Sequence, residues 1–337
     1  MLKIGVLGAG HLGKIHLKCL SEINELFKVV GFHDTNEAVA SQVALQMHVH
    51  AFTTYEEMLA EVDAVDIVTP TVTHFALAQK AIQQGKHVFI EKPVTQTPVE
   101  SAQLIALAKE KKVTVQVGHV ERFNPALLSV KKIALNPMFV EAHRLAMFNP
   151  RGTDVPVVLD LMIHDIDIVL SLVKSPVKLI SASGVAVVSD SPDIANARIE
   201  FENGCVANLT ASRISMKQMR KVRLFQKDAY LGLDFLKKEA QIIRLHDDFG
   251  AGELPLGSFE LQTPNGTKIL SMEMPPAEKV NAIQEELKSF AHAIETGESP
   301  AVSLEEGHEA LRVAWAVMEQ IGERLERAKP LDIGHTD

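Results

Sequence analysis

The chain has 337 residues, 46% of them apolar and 23% charged, and its 34 basic and 43 acidic side chains leave a formal charge of −9. That length suits two domains with sizeable cores, and the acidic balance argues against a nucleic-acid partner or a basic membrane anchor. Cys19 and Cys205 stand alone, without a C-x-x-C pair or His-rich ligand spacing, so neither a disulfide framework nor a metal site is expected and a reducing cytoplasm fits best. No signal peptide is expected ahead of the first strand. The most apolar long window, residues 155–173, carries three Asp and one His, which excludes a membrane span.

Leu2, Ile4, Val6 and Leu7 form a short apolar run that breaks into Gly8-Ala9-Gly10-His11-Leu12-Gly13. A helical pattern follows at once, with Ile15, Leu17, Leu20 and Ile23 on one face. A strand, a glycine turn and a helix are the context of a dinucleotide fingerprint. Gly8 allows the tight turn, Gly10 the approach of a pyrophosphate and Gly13 the packing of helix on strand. The phosphates would sit on the helix N-terminus among His11, Leu12 and Gly13, where N–H groups and the dipole favour anions.

The next strand, Phe27 to His33, ends on Asp34, 21 residues beyond Gly13. A carboxylate there accepts the ribose hydroxyls of NAD and repels the 2′-phosphate of NADP; it equally suits an Asx turn before a helix near Asn36. Thr54 with Glu57 reads as a capping box. Ala64 to Thr69 is a strand meeting Pro70, and His74 to Gln84 is a helix stopped by Gly85. His87 to Ile90 is a strand followed by Glu91-Lys92-Pro93. Thr97, Pro98 and Glu100 start another helix. Val113 to Val117 is a sixth strand if residues 50–52 count as one. Such alternation predicts an α/β Rossmann domain over residues 1–120, a doubly wound parallel sheet with helices on both faces. Its ligand edge would carry the glycine loop, Asp34, Thr69, Pro70, His74 and Glu91.

Residues 121–337 have another texture. A crossover helix over 125–133, a strand near 138–147 and a helix over 155–173 precede five strand-like segments between 177 and 235, with a hairpin turn at Asn203-Gly204. Two amphipathic helices follow, marked by Ile283, Leu287, Phe290 and by Leu304, Leu311, Trp315. This predicts an α+β domain with a largely antiparallel, open-faced sheet, whose bare face would be covered by self-association.

Three groups carry candidate chemistry. Lys92 follows a buried strand at the cofactor edge, although a surface cation is the commoner fate of lysine. Asp160 and His164, four apart on a helix, pair a carboxylate with the natural proton carrier near neutral pH; the same spacing suits a helix-surface ion pair, and no third metal ligand is spaced nearby. His119, Arg122 and Asn124 lie in Gly118-His119-Val120-Glu121-Arg122-Phe123-Asn124-Pro125, where polar groups could face a substrate or cap a helix between domains.

Four segments resemble the Gfo/Idh/MocA family of oxidoreductases: Gly8 to His16, Thr69-Pro70-Thr71-Val72-Thr73-His74, Gly85 to Pro93 with its Glu-Lys-Pro, and Asp160-Leu161-Met162-Ile163-His164-Asp165. The resemblance implies a nicotinamide-binding domain and an α+β domain building dimers or tetramers. It also implies oxidation of a sugar, cyclitol or nucleotide-sugar hydroxyl, with Lys92, Asp160 and His164 as the catalytic set. The stretch from Gly118 to Pro125, with the Asp160 run, looks most like the branch containing UDP-N-acetylglucosamine 3-dehydrogenases. Arg213, Lys217, Arg220, Lys221 and Arg223 form an acid-free basic run, suited to a substrate pyrophosphate through Arg213 or to a solvated strand edge. The rival to an NAD-dependent dehydrogenase is a non-catalytic NAD-bound sensor on the same fold.

Overall fold

A computed structural model describes residues 1–149, 155–246, 257–264 and 266–327. The chain divides into two compact units, Met1–Asn124 with Lys279–Arg312, and Pro125–Glu278 with Val313–Asp337. The sequence reading placed both C-terminal helices in the second domain. The first of them instead belongs wholly to the first unit, because its apolar stripe is buried there.

The first unit begins β1 (Leu2–Leu7), α1 (His11–Glu22), β2 (Phe27–His33), α2 (Glu37–Met47), α3 (Tyr55–Glu61), β3 (Ala64–Ile67), α4 (His74–Gln83), β4 (His87–Glu91), α5 (Pro98–Lys111) and β5 (Val115–Gly118). The strands form one parallel sheet in the order β2-β1-β3-β4-β5. Residues 50–52 add only an isolated bridge between Ala51 and Phe32, so the sheet has five strands. β3 and β5 are buried at every position, as expected where helices cover both faces. Local signals set the helix starts. Thr54 with Glu57 and Thr97 with Glu100 are reciprocal capping boxes, and Pro98 opens α5. Gly85 follows α4 with a φ of 72°, the left-handed conformation glycine supplies.

The second unit opens with α6 (Pro125–Leu128), shorter than the helix expected over 125–133, then β6 (Phe139–Leu145). A π-helical turn (Val158–Met162) leads into α7 (Ile163–Val173). Eight strands follow: β7 (Val177–Val185), β8 (Ile194–Phe201), β9 (Val206–Ser212), β10 (Met219–Phe225), β11 (Ala229–Asp234), β12 (Glu239–His246), β13 (Phe259–Thr263) and β14 (Gly266–Glu273). Among the described residues they form a nine-stranded sheet, β13-β14-β12-β11-β10-β6-β9-β8-β7, antiparallel except between β6 and β9. β12 to β14 went unread in the sequence. β13 is exposed or half-exposed throughout, so no apolar alternation marks it.

One face of this sheet is apolar and buried, with Val140, Ala197, Leu209, Val222 and Leu231, and α7 lies against β6 and β9. The opposite face is mixed, with Phe139, Phe225 and Tyr230 clustered among charged side chains. Lys221 pairs with Asp234 at 3.2 Å and Arg223 pairs with Glu141, each across neighbouring strands. β10 is therefore interior, not the solvated edge considered for the basic run.

The chain closes with α8 (Ala282–Thr296) and α9 (Leu304–Arg327). α8 returns to the first unit, where Leu287, Phe290 and Ala291 join the core built by Ile4, Leu17, Phe27 and Phe89. The Phe290 ring lies 6.4 Å from Phe27 and 5.8 Å from Phe89, within the range of aromatic pairing.

Candidate active site

The glycine loop has the shape its spacing predicts. Gly8 has a φ of 92°. A side chain at Gly10 would meet nothing within 4 Å, which leaves the space a phosphate needs. Gly13 is the opposite case, because a Cβ there would lie 2.0 Å from the Gly8 carbonyl oxygen. The first helical N–H with a backbone partner is that of Lys14, bonded to Gly10 O, so those of His11, Leu12 and Gly13 open the helix as an anion site. Asp34 stands at the end of β2, where its Oδ2 accepts the Ala9 N–H at 2.7 Å and its Oδ1 the Asn36 N–H at 2.8 Å. The Asx turn is thus real, and the same carboxylate ties the glycine loop to β2.

Forcing a methyl group against the loop backbone costs about 1–3 kcal/mol. Gly13→Ala is therefore expected to raise the Kd for NAD roughly tenfold, read by fluorescence titration. An unchanged Kd would show that the loop yields without loss.

Thr69 and Pro70 follow β3, and the Thr73 hydroxyl donates toward Thr69 Oγ1 and Pro70 O, both at 2.8 Å. His74 is buried at this edge. Its Nδ1 and Nε2 each lie 2.9 Å from a carbonyl oxygen, of Pro93 and of Thr69. Burial lowers its pKa against the raising effect of those carbonyls, and the neutral ring, with one N–H, donates to only one of the two. Glu91 is buried at the end of β4, and its Oε2 accepts the Lys92 N–H at 3.1 Å. Lys92 is half-buried and precedes a cis proline.

The stretch from His119 to Asn124 is a 3₁₀ turn over Val120–Phe123. His119 and Asn124 are buried, and the Asn124 Nδ2 donates to Glu121 Oε2 at 3.0 Å. Arg122 reaches Glu306 Oε1 at 3.4 Å, while Glu306 and Ser303 cap α9. Arg122 and Asn124 thus bond to Glu306 and Glu121 of the same unit.

In the second unit, Asp160 lies inside the π turn and His164 in the first turn of α7. A π turn closes by i→i+5 bonds and carries an extra residue, a feature concentrated at functional sites. Asp160 and His164 are half-buried among buried neighbours Val158, Met162, Ile163 and Ile166. Two arginines hold this segment. Arg213 is buried and donates to the Val155 carbonyl just ahead of the turn. Arg144, on the buried face of β6, grips Asp165 with Nη2 to Oδ1 at 2.9 Å and Nε to both oxygens at 3.2 Å. Arg213 thus braces the backbone ahead of the π turn through the Val155 carbonyl.

One group was missed. His16 on α1, Asp66 on β3, Glu91 and Glu286 on α8 meet inside the first unit. His16 Nδ1 lies 2.9 Å from Asp66 Oδ2 and its Nε2 lies 3.3 Å from Glu91 Oε1. The donor atoms of His16, Glu91 and Glu286 all fall within 4.8 Å of one another, although no metal-ligand spacing shows in the sequence. The available signal was Asp66 itself, a charge inside a four-residue apolar strand that needs a partner when buried.

Residues 2–119 match the family described as oxidoreductase family, NAD-binding Rossmann fold, and residues 143–228 match the GFO/IDH/MocA C-terminal domain. The chain is 38% identical to the UDP-N-acetylglucosamine 3-dehydrogenase of Acidithiobacillus ferrooxidans over 294 residues, 87% of this chain and 88% of that protein. The solved structure of that enzyme superposes with a TM-score of 0.87 at 36% identity, covering 97% of this chain and 99% of that one. The scyllo-inositol 2-dehydrogenase (NAD(+)) of Bacillus subtilis is 31% identical over 234 residues, 64% of this chain and 68% of that protein.

Proposed function

The chain belongs to the Gfo/Idh/MocA family of NAD-binding oxidoreductases, and from that membership we propose that it oxidises a hydroxyl of a nucleotide sugar, best fitted by the 3-hydroxyl of UDP-N-acetylglucosamine. The observation that carries this reading is near full-length similarity to an enzyme of that name, in a chain holding Lys92 after β4 and both Asp160 and His164 at the π turn.

The residues present fit the cofactor. Gly8, Gly10 and Gly13 shape the turn, the N-terminus of α1 faces the phosphates, and Asp34 takes the adenosine ribose. That carboxylate favours NAD over NADP by repelling a 2′-phosphate. NAD, when bound, supplies the hydride acceptor. In this reading His164 takes the hydroxyl proton on its imidazole, Lys92 hydrogen-bonds the reacting oxygen through Nζ, and Asp160 orients the histidine. The protein works in the cytoplasm and self-associates through the open sheet face of the second unit. Exposed Phe259, Leu261, Met272 and Met274 on β13, β14 and just beyond support that surface.

The similarity to inositol dehydrogenases supports a second substrate class, a simple sugar or cyclitol. Following NADH absorbance over a panel of UDP-sugars, free sugars and inositols, each with NAD and NADP, separates the two. The expected result is turnover of UDP-N-acetylglucosamine with NAD well above NADP. Turnover confined to an inositol or free sugar would overturn the nucleotide-sugar reading, and no turnover at all would favour a sensor.

A further inference from the structure

Glu286 is wholly buried, and neither of its carboxylate oxygens has a hydrogen-bond partner among the described residues. A buried carboxylate without a partner is too costly to persist as an anion. Its surroundings sharpen the problem. Asp66 and Glu91 are also buried carboxylates, and among the described residues His16 is the basic group paired with them. With all three acids ionised and His16 protonated, this enclosed site would still hold two uncompensated negative charges. Cys19, on the same face of α1, adds no positive charge.

A further proton reduces the imbalance to one charge. Burial, followed by the charge of Glu91, pushes the Glu286 carboxyl well above its ordinary range. Burial alone would lower His16, but Asp66 and Glu91 reverse this and hold the imidazole well above its ordinary value. The arrangement is then an imidazolium between two carboxylates, with a neutral carboxylic acid alongside.

The network ends at the proposed active site. Glu91 Oε1 faces His16 and Oε2 accepts the backbone N–H of Lys92. The same carboxylate fills the space left by Gly118, where a Cβ would come within 2.9 Å of it. α8 is anchored beside it, as Gln116 Nε2 donates to the Glu286 carbonyl oxygen at 2.7 Å.

We propose that Glu286 is a positioning residue for Lys92: its carboxyl, packed within 4.8 Å of the facing His16 and Glu91 atoms, holds the Glu91 carboxylate in place and through it the Lys92 backbone. The catalytic consequence rests on Lys92 acting as proposed above; the protonation and the hold on the Lys92 amide do not.

Three measurements test it. The infrared difference spectrum between native protein and Glu286→Gln at neutral pH is expected to show the carbonyl stretch of a protonated carboxylic acid. Its absence would overturn the proposal, as would a stoichiometric divalent metal in the purified protein. Glu286→Leu keeps an apolar side chain of similar bulk, and its expected effect is an exchange rate about tenfold faster at the Lys92 amide, with β5 amides unchanged; equal exchange would overturn the positioning role. In the same variant kcat is expected to fall about 10- to 100-fold with KM for NAD little changed, the order caused by an ångström's misplacement. Glu286→Gln, still a neutral donor, should restore most of that loss. If none of the panel's sugars, nucleotide sugars or inositols supported NAD reduction by the native protein, the enzyme reading would fail while the infrared and exchange results still decided the role of Glu286.

Discussion

Replacing His164 by alanine is expected to lower kcat by about 10²–10⁴-fold, the usual contribution of general acid–base catalysis. That range corresponds to roughly 3–5.5 kcal/mol of barrier, because each tenfold step is about 1.36 kcal/mol. Hydride leaves an alcohol carbon readily only as the hydroxyl proton is withdrawn, and His164 is the group proposed to receive it. The proposed cofactor contacts lie elsewhere in sequence, at Gly8 to Gly13 and Asp34, so the variant should bind NAD with native affinity. Steady-state turnover and NAD titration on the same preparation check both halves. Native turnover would remove His164 from the mechanism, while a parallel loss of NAD affinity would point to disrupted folding.

The second large effect is on stability. Arg144 and Asp165 are both buried and joined by three N–O contacts of 3.2 Å or less. Arg144→Ala would strand the Asp165 carboxylate, and breaking one side of such a pair costs about 3–5 kcal/mol. Replacing both partners by apolar residues of similar size is often close to neutral. Arg144→Met with Asp165→Leu should therefore recover most of the stability lost by Arg144→Ala. Urea unfolding followed by the single tryptophan, Trp315, in the second unit measures this. A single variant as stable as the native protein would mean that the pair contributes nothing net. Asp165 adjoins His164, so the apolar double variant also asks whether activity needs this grip or only the fold.

The parts of this molecule that were legible in its sequence are those set by local rules. Gly8 and Gly13 announce a tight turn and a helix packed on a strand, and Thr54/Glu57 and Thr97/Glu100 announce their helices through hydrogen bonds three residues apart. Lys92, Asp160 and His164 stood out because their types and contexts are chemical. What escaped depends on distant partners. The π turn has no periodicity of its own to betray it. Leu287 and Phe290 showed that α8 has an apolar face, but nothing local said which core would bury it. Glu286 looked like one more acid on a helix, and its meaning comes from His16 and Glu91, far away in the chain. For the same reason the bonds from Arg122 to Glu306 and from Arg213 to the Val155 carbonyl could not be read from the sequence.

The return of α8 to the first unit has a consequence for how the protein is made. A ribosome finishes β1 to β5 early, but Phe290, which packs against Phe27 and Phe89, emerges only after residues 125–278 have been synthesised. At about 5–20 residues per second that interval lasts roughly 8–30 s. During it the nascent nucleotide-binding half carries an uncovered apolar face and a buried-to-be cluster of Asp66, Glu91 and His16 without Glu286. The two halves are therefore not made one after the other as finished bodies. The first waits, open, for the last part of the chain, and a fragment ending before α8 would present chaperones with that open surface permanently.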